Sequence, residues 1–423
     1  MNTAQPLVYV TTPVYNGEAF LHECIESVLA QIYSNWVYTI VNNCSTDRTL
    51  QIAEQYAERD CRIRIHNNEN FLRVIDNHNL AYSLMPPESK YCKPLMADDW
   101  LYPECLSKMV RIAEQEPSIG LVCACAFDGK HMEGEGLPSP GTLAHGRDIC
   151  RAALLEGRHV FGSPTWQLFR ADLIRKRQPF YASSNLHSDV DACLDILQES
   201  DFGFVDDVLT FNRTHEGSIT SQVKTLESIF VGKLAATVKF GPVYLNDTEL
   251  NERLKSQFDQ YYQILAKHFL RVRGPQFWNF HRTKLRELGY SIDKRRLLKA
   301  VWYELFWLYR LYWAKRTISA IVPPGDSFIL VDQEEWGEDD FIAGRRRFRF
   351  LERNGQYWGM PEDDAAAIRE LKRLRLEGAR YIVFAWPAFW WLGHYSELRR
   401  HLDAKFPCVA ETDHVIAYNL SGG

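Results

Sequence analysis

Two adjacent carboxylates, Asp98-Asp99, close the apolar run Tyr91–Met96, and they are the residues of this chain best placed to do chemistry. Neighbouring acids repel, so the pair is costly unless a cation or hydrogen-bond donors offset the charge. A hard cation such as Mg2+ or Mn2+ needs only one or two protein carboxylates when substrate phosphates complete its shell. Taken alone, the doublet reads equally well as helix-capping acids ahead of Pro103-Glu104. Two further polar segments follow apolar runs in the same way: Thr12-Pro13-Val14-Tyr15-Asn16 and Asn42-Asn43-Cys44-Ser45-Thr46-Asp47.

The elements that must position these segments alternate. Leu7–Thr12, Trp36–Val41, Ile63–Ile65, Tyr91–Met96 and Gly120–Phe127 have strand character, and Glu18–Gln31, Thr49–Asp60, Leu72–Ser83 and Glu104–Gln115 have helical spacing. Alternation of this kind implies an α/β fold with a doubly wound, mainly parallel sheet and helices on both faces. Ligands of such sheets bind beyond the carboxyl ends of the strands, which is where all three polar segments fall. The Gly/Pro-rich stretch Lys130–Gly146 reads as a surface loop. Its Gly134-x-Gly136 opens no helix and is not a phosphate loop.

In order and spacing the first half resembles glycosyltransferase family 2, the nucleotide-sugar-dependent enzymes of the GT-A fold. The matching segments are Thr11–Gly17, Ser27–Gln31, Asn42–Thr49 and Ala97–Pro103, within roughly Pro6 to Thr220. The resemblance implies that Asp98-Asp99 is the metal-binding acidic motif, with Asp98 on the ribose and Asp99 on Mn2+ or Mg2+. The acid that usually stands two places before the last is absent, Met96 or Ala97 taking its place. Thr12, Pro13 and Tyr15 match the edge that stacks on and contacts the nucleobase. Asn42 and Asn43 stand where base-reading aspartates are common; an amide keeps the acceptor and loses the charge, and the pair also suits capping of the next helix. Ser188-Asp189-Val190-Asp191 resembles the segment carrying the general base, which makes Asp189 the group that accepts the acceptor's proton; helix capping is the alternative. Arg213-Thr214-His215 resembles an element facing the diphosphate, with Arg213 on phosphate and His215 on phosphate or metal. Gly162–Trp166 fits the acceptor side, where Trp166 either stacks on a sugar or packs in the core.

The implied activity is metal-dependent, inverting transfer of a hexosyl group from a UDP-, dTDP- or GDP-sugar to a glycan or lipid-linked acceptor. The other class of function consistent with the residues is a nucleotide-sugar-binding protein whose C-terminal part is an interaction module. A net charge of -5 over 423 residues gives no reason to expect a nucleic-acid partner. The ten cysteines include no C-x-x-C pair, and Cys123 and Cys125 fit a buried strand. The polar N-terminus lacks a signal-peptide core, so a reduced, cytoplasmic protein is expected. Three regions are expected: residues 1–225 as the catalytic domain, 226–321 as a helical extension, and 322–423 as a small α/β accessory domain. Residues 297–321 are rich in Trp, Tyr, Phe and Leu but interrupted by Glu304, Arg310, Lys315 and Arg316. They read either as a helix packed between domains or as one lying peripherally on a membrane surface.

Overall fold

A computed structural model describes residues 5–134, 142–157, 160–181, 187–215, 226–271, 273–337, 342–353 and 356–422. Residues 135–141, with Gly136, and the expected domain end at residue 225 lie outside the described set. The chain divides into two compact units, Met1–Lys294 and Arg295–Gly423.

The first unit opens with β1 (Val8–Val14), α1 (Leu21–Leu29), β2 (Trp36–Asn42), α2 (Thr49–Arg59), β3 (Ile63–Asn67), α3 (Val74–Ser83) and β4 (Tyr91–Pro94). It continues with β5 (Trp100–Leu101), α4 (Cys105–Ala113), β6 (Ile119–Phe127), β7 (Met132–Glu133), β8 (Leu143–Ala144) and α5 (Gly146–Glu156). Then come β9 (Gln167–Arg170), α6 (Ala171–Arg175), α7 (Ser188–Ile196), β10 (Asp201–Phe211) and three longer helices, α8 (Ser228–Tyr244), α9 (Asp247–Leu270) and α10 (Pro275–Glu287).

The sheet runs β3-β2-β1-β4-β9-β6-β10-β5, with β7 beside β6 and β8 beside β10. Strands β1 to β4 pair in parallel, as do β6 and β10, while β9 runs antiparallel between β4 and β6. Two strands that are each antiparallel to β9 are parallel to one another. The carboxyl ends of β1, β2, β4, β6 and β10 therefore share one edge. Both faces are covered: Val8 and Val10 join a core with residues of α1, α2 and α4, whereas Tyr9 joins one with residues of α3, α5, α6 and α7. Burial on both faces explains why these strands read as nearly unbroken apolar runs. Cys123 and Cys125 are buried in β6. The sequence reading missed the antiparallel β9 and β5 because neither is longer than four residues and each lies in a polar or aromatic stretch.

The long helices are tied to the sheet layer by Arg151 of α5. It donates to Glu249 at 2.7 Å, and Glu249 also closes the capping box of α9 with Asn246.

The second unit comprises α11 (Lys294–Ile321), β11 (Ser327–Val331), β12 (Arg346–Arg349), β13 (Glu352–Arg353), β14 (Gln356–Tyr357), α12 (Asp364–Leu376), β15 (Tyr381–Ala385), α13 (Trp391–His394), α14 (Ser396–Lys405), β16 (Cys408–Glu411) and β17 (Val415–Asn419). Its five-stranded sheet runs β12-β11-β15-β17-β16, parallel across β12, β11 and β15 and antiparallel beyond. The basic run Arg345–Arg347 leads into edge strand β12, and Trp391 is buried in this unit's core.

Candidate active site

At the shared edge, the turn after β4 places Asp99 and Asp98 in different surroundings. Asp99 is only 4% exposed. Its Oδ2 accepts from the Thr165 hydroxyl at 2.6 Å and from Asn212 Nδ2 at 3.1 Å, and its Oδ1 accepts from the Arg213 N–H at 2.9 Å. Burial, seconded by the adjacent Asp98 charge, pushes its pKa up to about 7, against the pull of these hydrogen bonds. Asp98 is partly exposed, and its Oδ2 lies 3.0 Å from Nε2 of the equally accessible His215.

The support for this turn comes from two segments distant in sequence and from the strand that precedes it. Asn212 donates to Ser163 at 2.6 Å and accepts from the indole N–H of Trp166 at 2.7 Å. The Met96 N–H donates to Thr165 at 3.2 Å. Below them Lys93, fully buried in β4, donates to the Thr165 carbonyl and, at 3.1 Å, to that of Gln167; burial lowers its pKa. Gly162 has φ +61°, and a Cβ there would overlap the Trp166 ring at 1.9 Å, so the turn that seats this indole requires glycine. Trp166 is a core residue with its N–H engaged, which removes it from any sugar-stacking role.

Arg213 donates from Nε to the Asp98 carbonyl at 3.1 Å and pairs with Glu23 of α1. Its guanidinium lies over Phe20 at 4.4 Å and Trp100 at 5.1 Å, and Trp100 stacks on Phe211 with ring centroids 3.6 Å apart. The arginine is thus a clamp on the acidic turn, its charge already faced by a carboxylate and aromatic rings.

The nucleobase-edge residues divide likewise. Thr12 is fully buried, its hydroxyl accepting from Tyr38 at 2.8 Å near the Cys24 thiol, so its side chain faces the core. Pro13 is half-buried in β1, paired in register with Val41. Tyr15 is 49% exposed and meets the exposed Phe71 edge-to-face at 4.9 Å, an aromatic pair whose second member the sequence reading did not single out. Asn42 donates to Asn67 at 3.0 Å and accepts from the Ser45 N–H at 3.3 Å. Asn43 donates to the Leu72 carbonyl at 2.8 Å while accepting from the Leu72 N–H and from Asn68, each at 2.9 Å. Asn42 thus ties the end of β2 to the end of β3, and Asn43 stitches the loop after β2 to the loop after β3. Asn16, at φ 50°, accepts from the Thr46 N–H at 2.8 Å and joins the loop after β1 to the same assembly.

Asp189 lies on the first turn of α7. Its charge adds to the upward pKa shifts of Tyr82, Tyr181 and Cys193, which arise chiefly from burial. Asp191, two residues on, is buried and pairs with Lys239 of α8 at 3.2 Å. That pairing fixes the helix which presents Asp189.

Among the described residues no group of three or more His, Cys, Asp or Glu side chains could hold a metal by itself. Asp98 and His215 offer a carboxylate and an imidazole, hydrogen-bonded to each other at 3.0 Å, a donor pair of the kind a divalent cation takes when substrate oxygens complete its shell.

A family model described as Glycosyl transferase family 2 matches residues 9–177. An uncharacterized glycosyltransferase of Rickettsia typhi is 26% identical over 246 residues, which cover 56% of this chain and 74% of that protein. EpsE of Bacillus subtilis, named as a glycosyltransferase, is 32% identical over 36% of this chain, and an uncharacterized glycosyltransferase of Haemophilus influenzae 33% identical over 35%. The chain spans about half the length of these last two, 56% and 48%. Among solved structures, Staphylococcus aureus TarS 1-349 in complex with UDP-GlcNAc superposes with a TM-score of 0.50 at 15% identity, covering 68% of this chain and 82% of that one. That likeness is one of fold.

Proposed function

We propose, from the match of residues 9–177 to the model described as Glycosyl transferase family 2, that the first unit moves a hexosyl group from a nucleotide-sugar to an acceptor hydroxyl. The donor is a UDP-, dTDP- or GDP-sugar. The acceptor is a glycan or lipid-linked glycan of surface polysaccharide assembly, met by a cytoplasmic protein peripheral at the inner face of a membrane. Among the described residues no helix is long and apolar enough to cross a membrane.

The observation that carries the reading is the partly exposed Asp98–His215 pair, mounted on the buried Asp99 anchor at the carboxyl edge of a parallel sheet. In this reading the two adjacent acids have separate tasks. Asp98 and His215 would hold Mn2+ or Mg2+, which would supply positive charge beside the nucleoside diphosphate leaving group. Asp99 and Arg213 keep the ligand-bearing turn in place. Tyr15 and Phe71 offer ring surface to the base, with Pro13 beside them and Asn42 and Asn43 holding the loops that shape its site. Asp189 takes the proton of the attacking hydroxyl in a single in-line displacement that inverts the anomeric carbon. Residues 1–225 form the catalytic domain, 226–321 its helical extension and 322–423 the accessory domain in this scheme.

The deciding experiment screens donor hydrolysis and transfer across nucleotide-sugars with Mn2+, Mg2+ or EDTA. Turnover of one donor class that is lost with EDTA and in Asp98→Ala is expected. Metal-independent turnover, or unchanged turnover by Asp98→Ala, overturns the metal assignment. Tight donor binding without hydrolysis or transfer on any acceptor would mark a binding protein instead.

A further inference from the structure

Helix α11 has two apolar faces, and only one is covered. Ala300, Ala314 and Ile318, with Trp307 and Leu311 partly buried, turn inward, and most of these pack in a core of the second unit. Elsewhere on the helix Leu298, Trp302, Tyr303, Leu305, Phe306, Leu308, Tyr309 and Tyr312 are exposed, Trp302 by 70% and Leu298 by 66%, while Val301 is buried. Of these, Leu298, Trp302, Leu305, Tyr309 and Tyr312 recur at steps of four and three residues, which on a helix is one continuous stripe. A soluble surface seldom exposes so much aromatic area without something that covers it.

Charge identifies what covers it. Lys294, Arg295, Arg296, Lys299, Arg310, Lys315 and Arg316 stand against the single Glu304, so seven positive charges less one give the helix +6. The whole chain carries -5, which leaves -11 on everything else. Lys294, Arg295, Arg296 and Lys299 are exposed at the helix start and Arg316 near its end. A second copy that packed the same helix on this stripe would set +6 against +6. Its Trp and Tyr rings, apolar in body and polar at the tip, suit a headgroup boundary better than a helix–helix seam, which favours Leu, Ile and Val.

We infer that α11 docks this protein on a bilayer surface rich in anionic lipid, its aromatic stripe in the headgroup–acyl boundary and its basic residues on the lipid phosphates and carboxylates. The inference deepens the peripheral placement proposed above and is independent of the catalytic assignment. The test is flotation of the full chain with vesicles of phosphatidylcholine alone or with about one-third phosphatidylserine. Binding at least about tenfold tighter to the anionic vesicles is expected. The combined Lys294→Gln, Arg295→Gln, Arg296→Gln, Lys299→Gln variant is expected to lose that preference, binding the two vesicles within about twofold of each other. Trp302→Ser with Phe306→Ser and Tyr309→Ser should abolish flotation on both vesicles, with unchanged circular dichroism. Donor hydrolysis in solution stays unchanged in all of these, and flotation stays unchanged in Asp98→Ala, so either reading can fail without the other. Failure of the wild-type chain to float, or equal flotation of the variants, overturns the inference. So does a dimer in sedimentation that the Trp302 variant converts to monomer, since a second copy would then own the stripe.

Discussion

Replacing Asp99 and Asp98 one at a time separates the two tasks assigned to them. Asp99→Ala removes the acceptor for three donors, the Thr165 hydroxyl, the Asn212 amide and the Arg213 N–H. Bonds to a charged group contribute about 1.5–3 kcal/mol each, but the losses do not simply add. Thr165 keeps the Met96 N–H, and Asn212 keeps Ser163 and Trp166. Because burial pushes the Asp99 pKa up to about 7, the negative charge itself adds little at neutral pH. About 3 kcal/mol is the expected loss, mostly from the acceptor removed opposite the Arg213 N–H. In a unit of this size that lowers Tm by about 6–10 °C. Asp99→Asn keeps the shape but turns an NH2 towards a donor, and about 2 kcal/mol is expected. Asp98→Ala, at a partly exposed position, should shift Tm by less than about 2 °C. Donor turnover in that variant should nevertheless fall at least about a hundredfold. Thermal unfolding of the three variants, beside turnover over a Mn2+ titration, checks both halves. An Asp99→Asn protein that melts with wild type, together with an Asp98→Ala protein that turns over normally, refutes the division.

Three further outcomes follow from the same geometry. Asn43→Asp cannot donate to the Leu72 carbonyl and sets two oxygens against each other; it should cost about 2 kcal/mol and lower Tm by about 4–8 °C, read by thermal unfolding. Tyr15→Ala combined with Phe71→Ala strips the exposed ring pair and should raise the donor KM about 5- to 30-fold with little change in Tm, read by initial rates. Asp189→Asn should cut transfer by about a hundredfold or more while donor affinity, measured by calorimetry, stays within about twofold; wild-type transfer would remove Asp189 from the mechanism.

The fold was legible because it rests on local periodicity. Alternating strand and helix patterns and polar residues at the carboxyl ends of β1, β2 and β4 are properties of short windows, and parallel topology then brings those ends together. What short windows do not carry is the pairing of distant residues. Thr165, Asn212 and Lys93 meet around Asp99 only because β9 inserts antiparallel between β4 and β6. Nothing in the local sequence of Thr165 or Asn212 signals a carboxylate partner. The same limit explains Trp166 and Thr12, whose residue types suit a ligand edge but whose positions face the core.

The asparagines at 42 and 43 show how a departure from a family pattern can be structural in origin. A residue at 43 that spans the Leu72 peptide must donate to its carbonyl and accept from its N–H. An amide side chain does both, whereas a carboxylate has no proton to offer. Asn68 extends the link by donating to Asn43 and to Asn77 of α3, so the loops after β2 and β3 and the start of α3 form one hydrogen-bonded body. That body carries Phe71, and Asn16 ties the loop bearing Tyr15 to it. The amides at 42 and 43 thus supply rigidity beneath an aromatic pair. Under the proposed function, recognition of a base would rest more on these rings than on a carboxylate, which is why the Tyr15 and Phe71 substitutions, rather than an aspartate at 43, are the ones expected to move the donor KM.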